Sequence, residues 1–300
     1  MKKVFVVLAI IILLLEVACS SDNSSGPELE QEQVVYVLLE EGYNSSESIF
    51  NVDYFEGYIP DLNKKIVGES YKIFSYEFDN FERNFEYYTY VLFTISNWSN
   101  SQMDNVNNAL HNSSTVPIEV VTNVGTLTGE VDKIMSVLQN VQYNGNDPAT
   151  VEFLLKDNEL NISWEYPSTP PEKLFLYIYY TEWMDGGNLN TENIKLVEKI
   201  IEGNNTSYLL EGDLLNKEGV ITIEMIPING AFVTSEDNNT LKEPNMTGDG
   251  IGYFYIFADD YRDNVDIAVS PTSTQFKRDT LNMESNFHGK KRLKEILGFK

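Results

Sequence analysis

Read as a pattern of apolar and polar positions, the chain alternates with a period of two over much of its length. Val34 to Leu39 is a dense apolar run, and Tyr71 to Phe78 alternates with Lys72, Phe74, Tyr76 and Phe78 on one side. From Phe85 to Ile95 one side carries Phe85, Tyr87, Thr89, Val91, Phe93 and Ile95. The other carries Glu86, Tyr88, Tyr90, Leu92 and Thr94, so both faces of that strand are expected to be covered. Val116, Ile118 and Val120 repeat the pattern ahead of a hairpin signal at Val124-Gly125-Thr126. Strand side chains point to opposite faces in turn, so this texture predicts β-structure from residue 34 onward. Two segments break the period. Ser101-Gln-Met-Asp104 reads as a capping box ahead of Met103, Val106 and Leu110. Val131, Ile134, Met135, Leu138 and Val141 recur at the spacing of an amphipathic helix. Asn144-Gly145-Asn146-Asp147-Pro148 then punctuates the chain. The expected fold is all-β, with two β-sandwich-like domains at 33–143 and 148–270 and one or two short helices between or beside them.

Residues 1–32 read differently. Lys2 and Lys3 precede an unbroken apolar stretch from Val4 to Leu15. That stretch has the length of a signal-peptide core and falls short of the roughly 20 residues a membrane span needs. The six residues Glu16-Val17-Ala18-Cys19-Ser20-Ser21 resemble the cleavage site of bacterial lipoprotein precursors. There a small residue precedes a cysteine that is lipidated and becomes N-terminal. The resemblance implies a signal peptide at 1–18, lipid attachment at Cys19 and a partner in the membrane that holds the lipid. It places the chain in the cell envelope, on the extracytoplasmic side, with the outer membrane or cell surface preferred to the inner membrane. Glu16 departs from the apolar residue usual at its position, and cleavage after Ser20 as an ordinary secretory signal stays open. Residues 19–32 lack an apolar pattern and are expected to form a flexible tether. Cys19 is the single cysteine of the chain, so the fold must stand on its hydrophobic core without an internal disulfide.

The second half carries another resemblance. Leu160-Asn-Ile162-Ser-Trp164, followed by Pro167, Pro170 and Pro171, resembles strand B of a fibronectin type III domain and the turn after it. Leu176 to Tyr180 resembles its strand C, Thr206 to Gly212 its strand E, and Ile221 to Gly230 its strand F. The resemblance implies a β-sandwich in which Trp164 fills the space between two sheets. Ile221 stands where the family usually has a tyrosine. Ile251 to Phe257, or Val265 to Val269, is expected to supply the closing strand.

Charge narrows the choice of partners. The chain has 46 Asp and Glu against 21 Lys and Arg, a net of −25. Such a surface repels phosphate backbones, so nucleic acid is excluded as a partner. The basic residues are unevenly placed, with seven of them in 277–300. Within that tail, Lys290 to Leu297 can form a short helix with Leu293, Ile296 and Leu297 on one side. The Ser270-Pro-Thr-Ser-Thr-Gln stretch reads as a linker, so 271–300 is expected to be a mobile basic tail.

Candidate chemistry is sparse. Neither His111 nor His288 lies in a catalytic or metal-binding motif, and no phosphate-cradling glycine loop or nucleophile elbow occurs. Carboxylate chemistry needs only two acids across a cleft, but the sequence singles out no pair. Asp249 and the group Asp259, Asp260, Asp263 and Asp266 offer oxygen ligands in expected loops without the spacing of a calcium motif. Trp98 and Trp183 stand at expected strand ends, where an aromatic platform for sugars could lie. No catalytic residue, metal ligand or cofactor is expected. The expected role is a non-catalytic binding or scaffolding module anchored by lipid, with a cell-surface protein or polysaccharide as the partner class. The alternative is a carbohydrate-active enzyme, or its accessory subunit, working through carboxylates.

Overall fold

A computed structural model describes residues 33–60, 66–79, 82–83, 90–95, 98–147, 159–184, 188–212, 219–230, 246–248, 250–267 and 288–299. The signal, Cys19 and the tether lie outside the described residues, as do 84–89 and the first part of the basic tail. The strands are β1 (Gln33–Asn44), β2 (Ile49–Pro60), β3 (Gly68–Ile73), β4 (Tyr76–Phe78), β5 (Glu82–Arg83) and β6 (Tyr90–Thr94). After helix α1 (Asn100–His111) come β7 (Thr115–Thr122), β8 (Gly125–Asp132), β9 (Gln139–Tyr143), β10 (Glu159–Glu165) and β11 (Lys173–Met184). Then follow β12 (Asn188–Glu202), β13 (Ser207–Glu211), β14 (Gly219–Gly230), β15 (Met246–Gly248), β16 (Gly250–Ala258), β17 (Tyr261–Ile267) and helix α2 (His288–Ile296). The fold is all-β and sandwich-like, built of open sheets with two helices among the described residues.

One large sheet is shared by two cores. Its order is β12-β11-β14-β16-β1-β2-β6-β5, with β17 also paired to β14. Against β16, β1 and β2 lies the five-stranded sheet β15-β8-β7-β3-β4. Val37, Leu39, Phe55, Phe254 and Ile256 of the large sheet meet Tyr71, Ile73, Val116, Ile118, Val120 and Leu127 there. Val106 and Leu110 of α1 close one side of this core. Against β11, β14 and β17 lies the three-stranded sheet β13-β10-β9. There Leu160, Ile162 and Trp164 pack on Leu176, Ile178, Ile223 and Val265. Trp164 is 2 % exposed.

The large sheet is continuous because β14 changes partners along its length. Gly219–Met225 pairs with β17, and Ile228–Gly230 pairs with β16. Pro227, which has no N–H to give to a ladder, sits at the change, where neither strand has a residue in register. The punctuation at 144–148 therefore does not divide the large sheet: strands from both sides of it are joined through β14 and β16. Val34–Lys300 forms one compact unit.

Several local expectations differ from the structure. Tyr71–Phe78 is a hairpin rather than one strand, turning at Phe74 and Ser75 with Phe74 at φ 58. Val131–Val141 is not helical. Val131 lies near the end of β8, Val141 lies in β9 and an extended connector joins them. The helical spacing thus comes from two strands and a linker that bury Val131, Ile134 and Val141 in turn. The capping box of α1 is formed by Ser99 and Gln102, two residues ahead of the expected start. The end of the chain differs most. The mobile tail expected over 271–300 contains α2, whose Leu293 is fully buried and whose following Leu297 and Phe299 are nearly so.

Candidate functional site

The outer face of the large sheet, away from both cores, is where the chain gathers its charged and aromatic side chains. Alternation puts Tyr36, Leu38 and Glu40 of β1 on this face, with Tyr54, Glu56 and Tyr58 of β2, Phe175, Tyr177 and Tyr179 of β11, and Tyr253, Tyr255 and Phe257 of β16. Helix α2 lies across them. Leu293, Leu297 and Phe299 pack with Leu38, Phe175, Ile226, Ile228 and Phe257.

A register shift builds the acidic part of the seat. Glu40 pairs with Tyr54 and Glu41 with Val52, so Asp53 is an extra residue in β2. Such a bulge re-aims side chains. Glu40 and Asp53 converge with Asp259 of the β16–β17 turn until one oxygen of each lies within 4.8 Å of the others. Asp259 is fixed from behind, its Oδ2 accepting the Tyr43 N–H at 2.9 Å. Lys290 supplies the positive charge: its Nζ pairs with Glu40 and lies 3.5 Å from Asp259 and 3.8 Å from Asp260. Burial pulls the Lys290 ammonium pKa down, but Glu40, Asp260 and Asp259 more than offset this and hold it above the usual value.

Glu224 forms the second anchor and is fully buried. Its Oε1 is 2.5 Å from Arg262, and its Oε2 accepts the Gly289 N–H at 2.7 Å. The first N–H groups of a helix have no partner within it, and Glu224 satisfies one. Burial pushes the Glu224 pKa up, while Arg262 and the Gly289 N–H pull it back. The approach requires glycine: a Cβ at 289 would stand 2.1 Å from Glu224 Oε2. Arg292 bonds Glu198 at 2.9 Å, and Lys294 lies 3.9 Å from the centre of the Tyr54 ring.

Tyrosines hold the far end of the helix. Tyr36 is stacked between Tyr58 and Tyr253, both ring centres at 4.8 Å, and Phe299 meets Tyr36 edge-on at 6.0 Å. The Tyr58 hydroxyl donates to the Gly298 carbonyl. Because these rings stack on one another, the faces of Tyr36 are already engaged.

The residues singled out in the sequence fall in different places. Asp259 and Asp260 belong to this seat, and His288 opens α2 with its ring edge-on to Tyr179 at 6.0 Å. His111 ends α1, with Nε2 2.9 Å from the Phe50 carbonyl and 3.0 Å from Asn51 Oδ1. It borders a cleft of about 210 Å³ with Lys133 and Met135, smaller than the ~300 Å³ at which small-molecule pockets begin. Trp98 does not form a platform. It stacks on Phe78 at 4.4 Å and donates to the Tyr71 hydroxyl at 2.8 Å. Cys19, Asp249 and the side chains of Trp183 and Asp266 lie outside the described residues. Sequence reasoning missed Glu40, Glu56, Glu198 and Glu224 as partners of α2. The signal available was the excess of basic residues in a segment with one apolar side, on an otherwise acidic chain. No protein-family model matches the chain, and no curated protein matches it in sequence.

Proposed function

We propose that this chain is an extracytoplasmic lipoprotein, anchored through Cys19, whose folded body acts as a non-catalytic binding or scaffolding module with a fibronectin type III-like part over 148–270 that takes in β9 as a further strand. The strand pairing supports the fibronectin type III-like part of this reading. In immunoglobulin-like sandwiches strands A, B and E share one sheet, and C, F and G share the other. Here the segments likened to B and E, β10 and β13, pair with each other, and β9 takes the place of A. Those likened to C and F, β11 and β14, pair on the opposite wall, where β17 takes the place of G. Trp164 lies between the walls, as the likeness requires. The Lys2-Lys3 start, the Val4–Leu15 stretch and Ala18-Cys19 support export and lipid attachment.

Two measurements test the two parts of this reading. Expressed in a bacterium with labelled fatty acid, the parent chain should take up label and sediment with membranes, and Cys19→Ser should do neither. Label on the variant would end the lipid reading. The soluble variant, incubated with cell-surface polysaccharide, should release no reducing sugar; steady release would make the chain an enzyme.

A further inference from the structure

The docked helix shows which chemistry the outer face accepts. At nine residues α2 is shorter than the ~12–15 residues at which an isolated helix persists in water, so its seat maintains it. Among the described residues, the contacts with the seat lie within 288–299: the His288 ring, the Gly289 N–H, Lys290, Arg292, Lys294 and the apolar side ending at Phe299. Recognition therefore does not depend on which copy of the chain supplies the segment. Charge selects the occupant. The body is acidic, and the seat presents Glu40, Glu56, Glu198, Glu224, Asp259 and Asp260. An acidic body repels its like, and the basic segment is the part of a second molecule that is attracted.

We propose that the outer face of the large sheet is a docking surface for the C-terminal segment of a second copy of this chain, so that two copies pair by exchanging α2. Exchange reuses contacts already present within one chain, so concentration rather than new interface energy sets the balance. Peptide binding and self-association test it together. A fluorescent peptide of residues 286–300 is titrated into the full Leu293→Asp chain, whose own helix has lost its central apolar contact, and into the unaltered chain. Binding to the variant should be one-to-one and at least ~10-fold tighter, because the unaltered seat is already filled. A peptide carrying Lys290→Glu and Lys294→Glu should not bind. Equal binding to both chains, or none to a variant with native circular dichroism, overturns the proposal. If Leu293→Asp fails to fold, the Lys290→Glu/Lys294→Glu chain serves as acceptor. Light scattering of the unaltered chain should show dimer growing with concentration, and a monomer at every concentration overturns the proposal whatever the peptide does.

Discussion

On its inner face the large sheet meets two other sheets through side chains that are almost wholly apolar. On its outer face the same strands meet one short helix through tyrosines, carboxylates and lysines. Two fully buried carboxylates show what the difference means. Glu41 points inward, where its Oε2 accepts the Ile134 N–H at 3.0 Å. Burial pushes its pKa up to about 8, with the Ile134 N–H and the charge of Lys133 opposing, so it is held largely protonated at neutral pH. Glu224 points outward and is met by a guanidinium and a helix N–H. Burial raises both pKa values, but at Glu224 the charge of Arg262 and the Gly289 N–H oppose it, and such pairing is what makes a buried charge tolerable. The inner face is held by burial, and the outer face by burial plus matched charge.

The largest effect is expected at the inner face. Trp164→Ala should cost about 3–5 kcal/mol in urea unfolding, the usual scale for truncating a buried aromatic. A loss below that of an exposed substitution would remove Trp164 from the core. Glu41 gives the next effect. Its folded pKa lies above the unfolded value near 4.5, so its contribution to stability is full below that pH and is lost as pH rises through about 8. Glu41→Gln should therefore gain on the parent as pH rises from about 5 to about 9, reaching up to a few kcal/mol. A difference that stays flat with pH would mean that Glu41 is ionised in the folded chain.

The outer face should respond less. Gly289→Ala places a methyl group against Glu224 and should cost about 1–3 kcal/mol, the range for overpacking. Amides of 293–299 should exchange faster while those of β10 stay protected, and uniform exchange would show that the two faces unfold together. Arg292→Ala should cost less than about 1 kcal/mol, because its bond to Glu198 is partly exposed, and the loss should shrink with added salt. A larger loss that ignores salt would make Arg292 part of the core.

Much of the fold was legible in alternation. Val116, Ile118 and Val120 lie buried on one side of β7, and Leu160, Ile162 and Trp164 do the same in β10. Phe74 was not legible as a turn, because a bulky residue at positive φ is rare and no glycine or asparagine marks the site. The spacing from Val131 to Val141 misled because burial at intervals of three, seven and ten residues arises equally from two strands and a connector. The site was only half legible. Leu293, Ile296 and Leu297 stood out as one side of a short helix, but nothing local named their seat.

Alternation, the apolar stretches that build the cores and the gathering of basic residues near the C-terminal end can all be read along the chain. These are properties of neighbouring positions. Long-range packing joins two halves into one sheet through β14, brings three carboxylates together beside the Asp53 bulge and sets Glu224 under residue 289. Glu40 and Lys290 are 250 positions apart, and no local pattern encodes a contact that exists only once the strands between them have been placed.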